Sequence, residues 1–290
     1  MDDLARHNRE RWNGLAAAGV QYSRPWLDLD QATARARIDP LDLLGDLSGK
    51  RVLCLAAGGG QQSAAFGVLG AAVTVFDLSD EMLARDQAAA RHYKIAIQTL
   101  QGDAQDLSAL PDDAFDVVWQ AHSLSFIPNV DRLFDGVKRV LRSGGIYHLS
   151  AWNPLAYGAD ERWTGAGYLL RDGYTEGAET VCGDGFWDIV DAEGQAKRVA
   201  GPREFRHTLT AIMNGLIARG FILLDVHEEP LGRADAQPGT WDHFCSVAPP
   251  WMCTWAVRQP ALLKQALLNW TGRRTQNPAP DRAVSESPSR

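Results

Sequence analysis

Apolar positions along the chain change period repeatedly, and the changes mark out the architecture. The uninterrupted run Val52-Leu53-Cys54-Leu55-Ala56 and the run at 72–76 are short and continuously apolar, as expected of parallel strands covered on both faces. Between them, Ala57-Gly58-Gly59-Gly60 breaks the first strand and 61–69 forms one short helix that stops at Gly70. Further strands are predicted at 95–101, 115–120, 146–151, 221–226 and, after the Pro249-Pro250 break, 251–257. Helical spacing intervenes twice more. Val130, Leu133, Phe134, Val137, Val140 and Leu141 form one stripe; Leu209, Ile212, Met213, Leu216 and Ile217 form another, ending at Gly220. The alternation predicts an α/β fold with a doubly wound, mostly parallel sheet.

Two regions depart from that rhythm. Residues 1–48 carry Trp12, Tyr22 and Trp26 among many charges and read as helices joined by an irregular stretch around Ser23-Arg24-Pro25. Residues 153–205 lack helical periodicity but crowd together Tyr157, Trp163, Tyr168, Tyr174, Phe186 and Trp187. A disordered segment is poor in aromatics, so this one is expected to fold against something. Over the crevice it forms the wall of a substrate pocket; the alternative is a homodimer interface. Residues 261–270 read as a terminal helix, and the polar, proline-bearing end from 272 as a disordered tail.

The segment from Arg51 to Asp77 is a strand, glycine turn, helix and strand, the layout of a nucleotide-binding unit. Glycines let the backbone turn sharply and approach a ligand, and the carboxylate closing the second strand can accept hydrogen bonds from ribose hydroxyls. An adenosine-containing cofactor is implied. Gly58 and Gly60 are followed by Gln62-Ser63, without the third glycine of the dinucleotide fingerprint, which argues against a pyrophosphate. In a sheet of this kind ligands lie beyond the carboxyl ends of the strands. Gly58 to Gln62, Asp77, Asp103, Gln120 to Ser123 and Trp152-Asn153 are therefore expected to converge.

The same segment resembles motif I of the class I S-adenosylmethionine-dependent methyltransferases. Leu78-Ser79-Asp80-Glu81-Met82-Leu83, Gly102-Asp103-Ala104-Gln105-Asp106-Leu107, Phe115-Asp116-Val117-Val118 and Arg139-Val140-Leu141-Arg142-Ser143-Gly144-Gly145 resemble that family's later motifs, in order. The resemblance runs from about residue 50 to 152, with weaker echoes to about 260. It implies a Rossmann-like seven-stranded sheet whose last strand is antiparallel and beside strand six. It also implies an N-terminal helical lid over 1–48, a methyltransferase domain over 49–260 with a substrate-pocket insertion at 153–205, and a C-terminal helix and tail over 261–290. For the cofactor, it implies that Ala57, Gly58, Gly60 and Gln62 form the turn, that Asp77 binds ribose, that Leu78, Met82, Asp103 and Ala104 hold adenine, and that Gln120 and Ala121 line the methionine side. Lid contacts are expected from Tyr22 and Arg24, and substrate contacts from Tyr22 and Trp26; the alternative is a helix packed on the sheet's outer face with its tryptophans in the core.

Composition narrows the partners. In 290 residues with 45% hydrophobic content there is material for a large core. A net charge of −7 and no basic run argue against nucleic acid. No apolar stretch reaches the roughly 18 residues of a membrane span, and the N-terminal stretch is charged. A cytoplasmic protein acting on a small molecule is expected. Cys54, Cys182, Cys245 and Cys253 show no metal-ligand spacing.

Methyl transfer is an in-line displacement, so positioning dominates and a base is needed only where the acceptor must lose a proton. His122, directly after the fourth strand, is the foremost candidate for catalysis or substrate binding, with His207 second; His148, inside a strand, reads as a core histidine. Glu228 and Glu229 carry less weight. Trp152, Trp163 and Tyr168 are the expected acceptor contacts. Ala121-His122 stands where metal-dependent relatives place an aspartate, so no metal is expected. Two other readings share the first unit: an NAD(P)-dependent oxidoreductase, for which no Tyr-x-x-x-Lys pair is present, and a non-catalytic S-adenosylmethionine-binding module.

Overall fold

A computed structural model describes residues 2–180, 184–229, 231–233 and 235–262. Its centre is a seven-stranded sheet of β1 (Arg51–Leu55), β2 (Ala72–Asp77), β3 (Ile97–Gln101), β4 (Phe115–Ala121), β5 (Leu141–Trp152), β6 (Phe221–Glu228) and β7 (Trp251–Arg258), in the spatial order β6-β7-β5-β4-β1-β2-β3. β1 pairs in parallel with β2 and β4, β2 with β3, and β4 with β5. β7 runs antiparallel to both β5 and β6 and separates them, as the resemblance implied. Val52 to Leu55 of β1 are fully buried, because helices cover both faces.

β5 starts earlier than the apolar run at 146–151. Leu141 pairs with Phe115, the register then shifts, and Val117 pairs with Ile146; the shift absorbs Gly144 at φ +79°. Two-residue offsets elsewhere, such as β3 beginning at Ile97 rather than 95, leave the order of elements unchanged.

The helices are α1 (Asp3–Ala17), α2 (Gln31–Ile38), α3 (Gln62–Val68), α4 (Asp80–Tyr93), α5 (Val130–Val140), α6 (Leu209–Ala218) and α7 (Trp241–Val247). One face of the sheet is packed by α5 and α6, the other by α2, α3 and α4. α5 starts at the Asn129 cap and buries Val130, Leu133, Phe134, Val137 and Val140; Leu141, the last of its predicted stripe, belongs to β5. The α6 stripe is narrower than its pattern implied: Ile212 and Leu216 are buried, whereas Leu209 and Ile217 are exposed. α7 lies in the stretch 227–250, between β6 and β7.

The first 48 residues divide in function. α2, fixed by an Asp30/Thr33 capping box, packs Ala34 and Ile38 into the core beside α3. α1 instead buries Leu15 and packs Trp12 with Val20, Ile189 and Trp187. The insertion forms three short antiparallel ladders: 159–160 with 169–170, 179–180 with 204–205, and 186–190 with 196–200. Most of the terminal helix expected at 261–270, the tail, and Cys182 lie outside the described residues. No helix among the described residues is long and apolar enough to cross a membrane.

Candidate active site

A cavity of about 980 Å³ opens at the carboxyl ends of β1, β2, β4 and β5. Two non-glycine residues hold left-handed backbone at its rim, Ala56 (φ 45°) after β1 and His122 (φ 49°) after β4. Such conformations cost about 1–3 kcal/mol and persist where the surroundings enforce them.

One end of the cavity is the glycine turn. Ala57, Gly58, Gln62, Asp77, Leu78, Met82, Asp103 and Ala104 all line it. The fit is close: a Cβ on Gly58 would meet Met82 Cβ at 2.9 Å and Asp77 Oδ2 at 3.0 Å, and one on Gly59 (φ +122°) would meet the Tyr22 carbonyl oxygen at 2.6 Å. Asp77 accepts hydrogen bonds from the Gly58 N–H at 2.9 Å and the Ser79 N–H at 2.8 Å. Burial nevertheless raises its carboxyl above the usual range, and each oxygen keeps a lone pair for a ligand hydroxyl.

Gly60 does not line the cavity, contrary to expectation. At φ +76° it is backed against α4, where a Cβ would meet the Arg85 carbonyl oxygen at 2.8 Å. Its N–H and that of Gly59 each donate to Asp86 at 3.0 Å, and the Ser63 hydroxyl donates to the same carboxylate. Asp86 is fully buried, and desolvation pushes its carboxyl up to about 7 against those hydrogen bonds. It was missed in the sequence reading, although a signal exists: α4 buries Met82, Leu83, Asp86, Ala89 and Ala90, an acid within an apolar stripe. Gln120 is also displaced. It lies behind the wall, donating to Ser123 Oγ at 3.0 Å and accepting from Tyr147 Oη at 2.6 Å; Ala121 lines the cavity beside it.

The other end is aromatic. Trp152 and Trp251 pack with ring centroids 4.3 Å apart, and His122 sets its ring edge-on to Trp251 at 4.7 Å. Also in the lining, Trp12 packs on Phe126 at 5.1 Å and Trp187 at 5.8 Å. Tyr22 lines the cavity as expected, next to Gln21. His122 is held by its N–H, which donates to the Ser150 carbonyl at 2.9 Å. Its Nε2 is 3.9 Å from Glu229 Oε1, and its side chain is 37% exposed, enough to be reached from the cavity. Burial lowers the imidazole below its ordinary range, opposed by the Glu229 charge.

Five other expected site residues lie elsewhere. His207 is buried with Nε2 facing the Ile127 carbonyl at 2.9 Å and Nδ1 facing Glu176 at 2.7 Å, so it ties the insertion to α6's start and is not in the cavity. Trp26 donates its backbone N–H to the Gly60 carbonyl at 3.1 Å and stacks under Arg37 at 4.6 Å, outside the cavity lining. Trp163 and Tyr168 pack against His243 of α7, Tyr168 Oη lying 2.8 Å from its Nδ1. From α7 and the loop before it, Trp241 and Leu231 line the cavity instead. Arg24 does not line it either; its Nε holds the Gly19 carbonyl at 3.0 Å. Among the described residues no group of three or more His, Cys, Asp or Glu side chains is placed to hold a metal ion.

Comparison with known proteins agrees with this geometry. A family model described as "Methyltransferase domain" matches residues 53–149. An uncharacterized methyltransferase of Bacillus subtilis, YbaJ, is 27% identical over 252 residues, spanning 80% of this chain and 93% of that protein. A ubiquinone biosynthesis O-methyltransferase of Xanthomonas oryzae is 28% identical over 152 residues, covering 50% of this chain and 64% of that one. Among solved structures, an S-adenosylmethionine-dependent methyltransferase from Mesorhizobium loti superposes with a TM-score of 0.56 at 25% identity, over 80% of this chain and all of that one.

Proposed function

Because this chain is a class I S-adenosylmethionine-dependent methyltransferase, we propose that it methylates a hydroxyl of a small, apolar-bodied metabolite seated between the two tryptophan walls, with His122 taking the proton. The oxidoreductase reading is set aside with the family. The observation that carries the proposal is that one cavity of about 980 Å³ joins the glycine turn to the His122–Trp251–Trp152 wall. Single-ligand pockets span about 300–1,000 Å³, so this one has room for donor and acceptor together.

The residues at the first end fit the donor. Asp77 is placed to accept from ribose hydroxyls, Leu78 and Met82 to pack on adenine, Asp103 and Ala104 to border its edge, and Ala57 and Gly58 to leave the backbone open beneath the rest. When bound, S-adenosylmethionine supplies a methyl group on a positively charged sulfur, and the carbon–sulfur bond breaks with its electron pair on sulfur. The protein's part is to align the acceptor oxygen with that methyl carbon and to receive the O–H proton on His122 Nε2. Burial favours the neutral imidazole, the form that can accept a proton. Transfer to oxygen is also named for the Xanthomonas relative. Among the described residues the lining contains no Lys or Arg, which favours neutral or cationic acceptors over anionic ones.

Two measurements test the reading. Calorimetry with S-adenosylhomocysteine should give micromolar binding and NADH none. A panel of phenols, aliphatic alcohols, amines and carboxylic acids with labelled methyl donor should then give transfer to hydroxyl compounds that His122→Gln abolishes. Transfer confined to carboxylic acids, or undiminished in that variant, would overturn it.

A further inference from the structure

We propose that Glu229 is a positioning residue for His122, a carboxylate fixed to stabilise the imidazolium that forms when the ring takes the acceptor's proton; the inference rests on the role of His122 given above. Three strands bring the pair together. His122 follows β4, Glu229 follows β6, and Trp251 and Cys253 lie at the start of β7, which runs between β6 and β5.

The backbone of Glu229 is pinned on both sides. Its N–H donates to the Trp251 carbonyl at 3.1 Å, and its carbonyl accepts from the Leu231 N–H at 2.9 Å. The side chain is held too: the Cys253 thiol donates to Oε1 at 3.2 Å. Burial first, and then the Glu229 charge, push that thiol far above its ordinary range, so it remains a donor throughout the working pH range. The same Oε1 lies 3.9 Å from His122 Nε2, too long for a hydrogen bond but within reach of an ion pair. Attraction is therefore weak while the ring is neutral and strong once it is protonated. His122 is fixed in turn by Trp251 against its ring and Ser150 on its N–H. Nδ1 is buried with no hydrogen-bond partner among the described residues, which leaves Nε2 as the nitrogen within reach of both acceptor and carboxylate.

Other charged groups near the pair do not take over this role. On β6, Asp225 is hydrogen-bonded to His227, and Glu228 alternates to the opposite face of the strand. On β5, His148 is buried between Trp119 and Trp255, and desolvation, with the charges of His122 and His227, lowers it to about 3, so it stays neutral.

The test uses the full-length protein with labelled histidine and needs no acceptor. The NMR titration midpoint of His122 in Glu229→Gln should fall by about one pH unit, roughly a tenfold loss of proton affinity, with Glu229→Asp recovering part of it and Cys253→Ala moving it less. The acid limb of kcat/KM should shift to lower pH by the same amount, with the S-adenosylmethionine KM unchanged. A midpoint and an acid limb that both match the parent protein would overturn the role of Glu229, while loss of transfer in His122→Gln would leave the base assignment standing. Undiminished transfer in His122→Gln would sink both. A fold defect in Glu229→Gln is recognised by loss of S-adenosylhomocysteine binding, and Glu229→Ala then decides: a midpoint equal to the parent's also overturns the proposal.

Discussion

The two ends of the cavity are built on opposite plans. The end at the glycine turn comes from one near-contiguous stretch: β1, the turn, β2 and α4 supply Gly58, Asp77, Met82 and the Asp86 brace within about a tenth of the chain. The aromatic end is assembled from afar, with Trp12 from α1, His122 from β4, Trp152 from β5, Trp187 from the insertion and Trp251 from β7. The first arrangement is set mostly by local chain geometry, with Asp103 and Ala104 added from after β3 and a long-range seat against Tyr22 and Pro25. The second exists only when the sheet and the insertion have both formed. A donor common to many reactions suits a rigid local cradle, and an acceptor particular to one reaction suits walls that vary independently.

The largest expected effect breaks the first plan outright. Gly59→Val places a branched side chain at φ +122° and within 2.6 Å of the Tyr22 carbonyl; S-adenosylhomocysteine binding by calorimetry should be lost, and native-like circular dichroism with intact binding would contradict the assigned turn. Asp77→Ala removes charged hydrogen-bond acceptors and should weaken the same ligand by about 2 kcal/mol, about 30-fold; unchanged affinity would remove Asp77 from the donor end. Trp152→Ala and Trp251→Ala sharpen the contrast. Each should raise the acceptor KM about tenfold, on the order of 1.4 kcal/mol, with donor affinity unchanged, and an equal loss at both ends would show that the two ends are not separable.

The last test concerns stability alone. His148 stays neutral in the folded protein down to about pH 3, whereas an unfolded histidine binds its proton near 6.5. Between those values the unfolded state takes up protons that the folded state refuses, so stability falls as pH drops from about 6.5 towards 3. His148→Phe keeps a ring stacked on Trp119 and should flatten that acid limb in urea titrations at pH 7 and 5; an unaltered slope would assign the acid loss to other groups.

Legibility followed the same division. The strands, the doubly wound order and the cavity positions of Gly58, Asp77, Met82 and Asp103 can be read from local pattern, because period and turn chemistry act over a few residues. Gly60 and Gln120 were placed one step too near the ligand. Motif position says that they are close, but only tertiary contacts say that Gly60 faces Asp86 and Gln120 faces Tyr147. At the aromatic end, Trp26, Trp163, Tyr168 and His207 have the same residue chemistry as Trp12, Trp187, Trp251 and His122. What separates them is which neighbour claims each ring first. The ladders of the insertion are as short as two residues a strand, too short to show a period, and their pairing partners lie up to about 25 residues away.

β7 enters the sheet between two strands already made, and this imposes an order on chain synthesis. Until Trp251 to Arg258 leave the ribosome, β5 and β6 share a gap with two open hydrogen-bonding edges, and the tryptophan that backs His122 is missing. The nascent chain can form its donor cradle early, yet it cannot become an enzyme until β7 is threaded home. A chain truncated just before Trp251 would therefore yield an aggregation-prone fragment that sequesters cofactor rather than a weak catalyst.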